Sequence, residues 1–296
     1  MRIDRLIEAI RELRNPTALG LDTRIEYVPE PFARAHAGEG GGAAAVLAFN
    51  RELLRALRDI IPCVKIQAAY YEMMGAGGMA CLGDTMEEAR RLGYVVIADA
   101  KRGDIGPTAE AYSSAYLGSG APYASDFLTV NPYFGTDGVS PFISDCGRTG
   151  RGIFALVKTS NKSGGEFQDI LCADGRTVYE HVAERVSEWG SGLIGHNGYS
   201  SVGAVVGATY PEQGAELRKK MPHTFFLLPG YGAQGAPASH LAGCFDGDGS
   251  GAIVAASRSI IRAHRTAGTD DFASAAREEA IRMRADLMRV LPGLAP

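Results

Sequence analysis

Short apolar segments alternate with longer amphipathic segments along most of this chain of 296 residues. The apolar segments are rich in Val, Ile, Leu and Ala, as is typical of strands that are covered on both faces of a parallel sheet. Eight such strands are predicted, at residues 17–21, 63–66, 95–98, 127–130, 152–157, 202–206, 225–228 and 252–256. Helical periodicity between them predicts helices at residues 44–60, 85–92, 175–189, 212–220 and 272–291.

This alternation of strand and helix indicates parallel strands. A doubly wound open sheet and a closed barrel both satisfy it, but eight units in roughly 250 residues are typical of the barrel. We therefore predict an α/β fold, a (β/α)8 TIM barrel that forms a single domain over residues 1–296. The Gly- and Ala-rich segment near residues 35–45 is interpreted as a flexible insertion, because units of the same kind continue on both sides of it.

Composition and charge narrow the class of protein. The formal net charge is -4 and the basic residues are scattered, which argues against a nucleic-acid surface. The chain has no run of eighteen apolar residues and starts with an amphipathic helical pattern, so we expect a cytoplasmic protein that does not contact a membrane. The five cysteines form no Cys-x-x-Cys pair and the six histidines have no ligand spacing, so neither a disulfide framework nor a metal site is predicted.

Charged and polar side chains follow the predicted strands, at the rim where a barrel places its active site. The third strand ends in Asp99, Lys101 and Asp104. In extended backbone Asp99 and Lys101 point to the same side, which would bring an acid and a base to one bound molecule. Other predicted strand ends add Asp22, Lys65, Asn131, Lys158 with Ser160, the loop from Pro229 to Gly235, and Arg258.

Two of these features have simpler interpretations. The glycines at 230, 232 and 235 match the spacing of a dinucleotide fingerprint, but that fingerprint normally follows the first strand of a βαβ unit and here it follows the seventh strand. We therefore expect no nicotinamide site. Asp22 taken singly could be a helix cap or a salt-bridge partner. Its place on the same rim as the other charges favours a functional role.

In this order along the chain, the residues resemble the orotidine 5′-phosphate decarboxylase family. The resemblance covers most of the chain and is carried by Asp22, Lys65, the run from Asp99 to Thr108, the Gly-Ala-Gln-Gly loop that ends at Gly235, and Arg258-Ser-Ile. The spacing Asp-x-Lys-x-x-Asp-Ile is shared with relatives such as hexulose-phosphate synthases. Lys65, the Gly-Ala-Gln-Gly loop and the Arg-Ser-Ile segment narrow the resemblance to the decarboxylase.

The length of the chain and its Lys158-Thr-Ser-Asn161 loop resemble the longer bacterial subgroup of this family. Two features depart from the common pattern. Ser257 stands before the phosphate-binding arginine where many members carry Gly, and the loop at residues 161–167 is long and rich in glycine. These departures concern the phosphate and base contacts and remove no charged group.

The resemblance implies decarboxylation of orotidine 5′-phosphate to uridine 5′-phosphate, a step of pyrimidine biosynthesis. Loss of carbon dioxide from C6 leaves a carbanion, and no cofactor motif here offers an electron sink, so we expect no cofactor and assign the stabilisation to electrostatics. Two unit charges about 4 Å apart are worth on the order of 4 kcal/mol at an effective dielectric near 20. By resemblance, Lys101 is the cation beside C6 and the general acid that protonates it.

The resemblance also implies the roles of the other rim residues. Asp99 either repels the substrate carboxylate or keeps Lys101 protonated and aimed. Lys65 is implied as the second cation of an alternating array that includes Asp104. With Ile105 and Thr108, Asp104 is implied to reach the neighbouring subunit's site, which predicts a homodimer. Substrate binding is implied for Asp22 at the ribose, Ser160 at the pyrimidine edge, and Pro229, Gln234, Gly235 and Arg258 around the phosphate.

Two rival functions remain open from the sequence. One is a metal-dependent aldolase or decarboxylase that acts on sugar phosphates, which would require magnesium. The other is a nucleotide-binding barrel without catalysis. The set of Asp99, Lys101 and Asp104 argues against a simple binding protein, because binding alone does not require so many charges at one strand end.

Overall fold

The computed structural model describes residues 1–231 and 237–294. Its strands are β1 (Thr17–Leu21), β2 (Cys63–Gln67), β3 (Val95–Arg102), β4 (Phe127–Val130), β5 (Gly152–Lys158), β6 (Ser200–Val206), β7 (Thr224–Pro229) and β8 (Ala252–Ala256). Neighbours in sequence pair in parallel, and β8 pairs with β1 to close the barrel. The predicted (β/α)8 barrel is confirmed, and each predicted strand overlaps an observed one.

Helices fill the connections between the strands. They are α1 (Arg2–Leu13), α2 (Glu30–His36), α3 (Gly41–Leu57), α4 (Ala69–Glu72), α5 (Gly75–Arg91), α6 (Gly106–Leu117), α7 (Gly135–Thr149), α8 (Gly165–Gln168), α9 (Val178–Gly190), α10 (Pro211–Lys220), α11 (Arg258–Ile261), α12 (Ala263–Ala267) and α13 (Phe272–Val290). Among these helices, none is long and apolar enough to cross a membrane.

The helix predictions differ from the structure at helix starts, in the omission of the short helices α2, α4, α8, α11 and α12, and in the omission of two long helices. Helix α9 begins three residues later than predicted because Thr177 and Glu180 form a capping box at its amino end. Helices α6 and α7 were not predicted. The first has almost no amphipathic pattern, and the second contains Pro141, which usually ends a helix. The single-domain boundary stays a prediction. The segment at residues 35–45, predicted as an insertion, contains the end of α2 and the start of α3.

The barrel interior is filled by alternating large and small side chains. The rings of Phe127 on β4 and Phe154 on β5 are 5.1 Å apart between centroids. Gly152 and Gly203 leave the space for these rings, because a Cβ at either position would come within 2.6 Å of a ring carbon. These side chains therefore fill the barrel interior around Phe127 and Phe154, and a ligand has room only at an end of the strands.

The third strand departs from regular pairing at its carboxyl end. Ala98 pairs with Leu128 and Arg102 pairs with Val130, so three residues of β3 lie opposite one residue of β4. This irregularity is a β-bulge, which re-aims the side chains of the bulged strand. The bulged residues are 99–101, so the irregular pairing includes Asp99 and Lys101, which were predicted to carry the chemistry.

Candidate active site

A cavity of about 400 Å³ opens at the carboxyl ends of the strands. Its walls contain most of the residues predicted for the site: Asp22, Lys65, Asp99, Lys101, Ser160, Pro229 and Arg258. A larger cavity lies outside the barrel between residues 25–33 and 264–270 and contains none of them. The predicted Gln234 and Gly235 lie outside the described residues.

Four charged side chains form an unbroken chain of alternating sign in this cavity. Lys65 Nζ lies 2.6 Å from Asp99 Oδ2 and 3.5 Å from Asp22 Oδ1. Lys101 Nζ lies 2.5 Å from the other oxygen of Asp99. The order is therefore Asp22, Lys65, Asp99, Lys101. Asp99 holds the two cations side by side, and Lys101 stands at the more exposed end of the chain of charges.

Burial and neighbouring charges together set the protonation states of Asp99 and Lys65. Asp99 and Lys65 are each only 6% exposed. Burial alone would raise the pKa of Asp99, but the charges of Lys65 and Lys101 outweigh it and hold this pKa well below its usual range. Burial would lower the pKa of Lys65, yet Asp99 and Asp22 raise it above its usual range. Both groups are therefore ionised at neutral pH.

Two neutral side chains that were not predicted complete the environment of Asp99. Gln67 Nε2 donates to Asp99 Oδ2 at 3.0 Å, and the hydroxyl of Thr129 donates to Oδ1 at 3.0 Å. Asp99 thus accepts from four donors, which leaves its carboxylate little freedom to turn. Each of these residues lies at the end of its strand, so the rim position of Gln67 and Thr129 was the signal in the sequence.

Lys101 adopts a backbone conformation that is rare for a residue with a side chain. Its φ of 49° lies in the left-handed region. Its backbone N–H donates to Thr129 Oγ1 at 2.9 Å. The sequence prediction assumed extended backbone through Asp99 and Lys101, which is wrong at Lys101. The two side chains still meet, because the bulge turns Lys101 back toward Asp99.

The loop after β5 places Ser160 in the wall of the cavity, and side-chain contacts hold this loop in position. Lys158 has no exposed side-chain surface, and its Nζ lies 2.6 Å from Asp169 Oδ1. The same ammonium lies 4.7 Å from the ring centre of Tyr210. Gln168 accepts from the backbone N–H of Thr159 at 3.0 Å and donates to its hydroxyl at 2.8 Å. These contacts fix the backbone from which Ser160 faces the cavity.

The opposite wall carries the predicted phosphate-binding group. Arg258 follows β8 and is exposed on the cavity wall, and in the described part of the chain no carboxylate lies within 4.0 Å of its guanidinium. Ser257, which departs from the family pattern, also lines the cavity and donates to the Gly20 carbonyl at 2.9 Å. Tyr231 lines the same end, and its hydroxyl donates to Asp286 at 2.5 Å.

The remaining predicted residues do not line this cavity. The carboxylate of Asp104 accepts from the backbone N–H of Ile105 at 2.8 Å. Ile105 is 55% exposed, and Thr108 is exposed on the first turn of α6. Asp104 therefore does not extend the chain of charges within one subunit. Across residues 1–231 and 237–294, no three His, Cys, Asp or Glu side chains converge as candidate metal ligands.

The closed barrel with a charged cavity at the carboxyl ends of its strands is characteristic of (β/α)8-barrel enzymes. A family model described as "Orotidine 5'-phosphate decarboxylase / HUMPS family" matches residues 44–269. The chain belongs to this family.

Individual relatives agree with this assignment. The chain is 46% identical over 276 residues to an orotidine 5′-phosphate decarboxylase of Rhodopirellula baltica, with 91% of this chain and 90% of the relative covered. It is 39% identical to one of Clostridium acetobutylicum, with 98% of this chain and 100% of the relative covered. Among solved structures, OMP decarboxylase of Leishmania donovani is similar, with a TM-score of 0.76, 30% identity and 98% of each chain covered.

Proposed function

We propose that this protein converts orotidine 5′-phosphate to uridine 5′-phosphate and carbon dioxide, as a step of pyrimidine biosynthesis. The observation that carries the proposal is the chain Asp22, Lys65, Asp99, Lys101 inside one cavity. The curated relatives are named for this reaction. An array of fixed charges suits a reaction in which a carbanion forms without a covalent electron sink.

Lys101 is the proposed acid in this reaction. As the C6–carboxyl bond breaks, its electron pair stays on C6, and the Lys101 ammonium stabilises that charge and then transfers a proton to it. Asp99 lies 2.5 Å from the Lys101 Nζ, so it holds the ammonium at one point. Lys65 compensates the buried Asp99 from the other side at 2.6 Å, which lets the carboxylate stay ionised there.

The remaining groups are proposed to bind the substrate. Asp22 accepts from ribose hydroxyls, Ser160 contacts the pyrimidine edge, and the planar guanidinium of Arg258 binds the phosphate. Pro229, Gln234 and Gly235 are proposed around the phosphate as well. Residues at the ends of β7 and β8 commonly form the phosphate site of such barrels. Binding energy from the distant phosphate can then lower the barrier at C6.

The direct test follows the loss of orotate absorbance with purified protein, orotidine 5′-phosphate and a chelator, and identifies the product. We expect uridine 5′-phosphate to form under these conditions and Lys101→Ala to abolish turnover while uridine 5′-phosphate still binds. The rival activity on sugar phosphates predicts turnover of those substrates that depends on added magnesium. Wild-type protein that leaves orotidine 5′-phosphate unchanged would overturn the proposal.

We also propose a homodimer in which Asp104, Ile105 and Thr108 complete the partner's site. Their position outside the cavity of their own chain supports this arrangement, as does the exposed apolar surface there, where Ile105 is 55% exposed and the nearby Phe134 is 49% exposed. A cytoplasmic location remains a prediction.

Mixing two inactive variants tests the shared site. Lys101→Ala and Asp104→Ala subunits should form heterodimers in which one of the two sites has both groups intact. Unfolding and refolding the equimolar mixture should therefore restore about a quarter of wild-type activity. No recovery, with dimers verified by sedimentation, would place Asp104 outside the partner's site.

A further inference from the structure

At the β-bulge near the end of β3, three residues of β3 lie opposite a single residue of β4. Ala98 and Arg102 are both paired with neighbours on β4, and only Thr129 lies between those two pairs. On the side of β4, residues 99–101 thus lack the regular ladder, whereas on the other side Asp99 still pairs with Gln67 on β2. On this side the backbone of Lys101 is held by the side chain of Thr129, because the backbone of β4 is not in register with it.

Thr129 supplies a single hydroxyl that contacts two residues at once. Its Oγ1 accepts the backbone N–H of Lys101 at 2.9 Å and donates to Asp99 Oδ1 at 3.0 Å. The side chain is 1% exposed, so water does not compete for either bond. One atom therefore links the backbone that carries the ammonium to the carboxylate that aims it.

The position so fixed is a strained one. Lys101 has a φ of 49°, a conformation that residues other than Gly adopt rarely and that persists only where surrounding contacts hold it. The ion pair between Lys101 and Asp99 constrains the tip of the lysine. It does not constrain the backbone, whose N–H bonds to Thr129.

We propose that Thr129 is a positioning residue that holds Lys101 and Asp99 in their reactive arrangement. The inference rests on the proposed function for its kinetic consequence. Thr129 touches the two charged groups and transfers no proton to substrate. Loss of its hydroxyl removes neither the amine of Lys101 nor the carboxylate of Asp99. It removes the hydrogen bond that holds the backbone N–H of Lys101. Small displacements of a reacting group cost up to about 100-fold in rate.

The test compares Thr129→Val, which removes the hydroxyl and keeps the shape, with Thr129→Ser, which keeps the hydroxyl. Thr129→Val should lower kcat by about 10- to 100-fold and leave the affinity for uridine 5′-phosphate within about threefold of wild type. Thr129→Ser should restore kcat to within about threefold. Equal kcat for Thr129→Val and wild type would overturn the proposal, and so would parallel losses of kcat and affinity.

A matched control is Thr17→Val on β1. Thr17 is also buried, and its Oγ1 has no hydrogen-bond partner among the described residues. This change should leave kcat at the wild-type value. If Thr129→Val fails to fold, Thr129→Ala tests the same hydroxyl without the bulk of a second methyl, with affinity for uridine 5′-phosphate as the measure of folding.

A readout without turnover separates this inference from the proposed function. The Lys101 amide should be protected from hydrogen exchange in wild type and Thr129→Ser, and should exchange at least tenfold faster in Thr129→Val. Unchanged protection in Thr129→Val would overturn the positioning role, whatever the substrate. A wild-type protein without decarboxylase activity would overturn the proposed function instead, while the exchange data still decide whether Thr129 holds Lys101.

Discussion

The ammonium of Lys65 and the carboxylate of Asp99 form a buried ion pair with 2.6 Å between Nζ and Oδ2. Because Asp99 is held in its ionised form, its pKa in the folded protein lies below that of the unfolded chain. The resulting stabilisation is complete above the unfolded-state pKa of about 3.9 and is lost as the pH falls toward the folded-state value.

We therefore expect the stability difference between wild type and Asp99→Asn to shrink in acid. Urea unfolding at pH 7, 5, 4 and 3 measures it. The difference should be constant from pH 7 to 5 and should fall by about 1 kcal/mol by pH 3, since one pKa unit corresponds to about 1.4 kcal/mol. A difference that stays constant down to pH 3 would show that Asp99 has an ordinary pKa.

The left-handed backbone of Lys101 predicts an unusual ranking of variants. Both Lys101→Ala and Lys101→Gly remove the amine, so both should be inactive. At a φ of 49° glycine is unstrained and alanine is not, so Lys101→Gly should be more stable by about 1 kcal/mol. Arg14, with a φ of 48° at the end of α1, offers a control in which the same ranking should appear without loss of activity. Thermal unfolding of the four variants measures both rankings, and an alanine variant as stable as its glycine counterpart would contradict the prediction.

Ser257 and Gly20 predict a coupled pair. A Cβ at Gly20 would lie 2.7 Å from the Cβ of Ser257, so Gly20→Ala should be destabilising. Ser257→Gly removes that contact, and the double variant should therefore be more stable than the sum of the single changes by about 1 kcal/mol. The Ser257 Cα, at 3.1 Å, leaves some residual strain. Additive effects in urea unfolding would mean that the two positions do not meet.

The buried ammonium of Lys158 predicts an asymmetric effect within one ion pair. Asp169 is 40% exposed at its side chain and can be hydrated without its partner, whereas Lys158 has no exposed side-chain surface. Asp169→Ala should therefore destabilise the protein more than Lys158→Met does, because it leaves a buried cation without its carboxylate. Asp169→Ala should also raise KM, since the loop that carries Ser160 loses its attachment. Urea unfolding and steady-state kinetics of the two variants provide the measurements, and equal destabilisation by both would refute the asymmetry.

The sequence by itself determined the barrel and most of the cavity. Strands buried on both faces read as continuous apolar runs, so their number and parallel order could be inferred, and a closed barrel brings the residues that follow them to one rim. Asp22, Lys65, Asp99, Lys101, Ser160, Pro229 and Arg258 were found in this way and lie around one cavity.

Only the tertiary structure decided how those charges meet. Extended backbone was the natural expectation for Asp99 and Lys101, and the bulge that replaces it follows from the register between β3 and β4, which a local pattern does not encode. In the sequence, Thr129 cannot be distinguished from any other β-branched strand residue. Its hydroxyl lies between Asp99 and Lys101 because β4 pairs with β3 in the fold. Likewise, Asp22 reaches Lys65 because the parallel pairing of β1 with β2 sets the ends of these strands side by side. Contacts between side chains distant in sequence depend on register and closure, and these are properties of the whole fold.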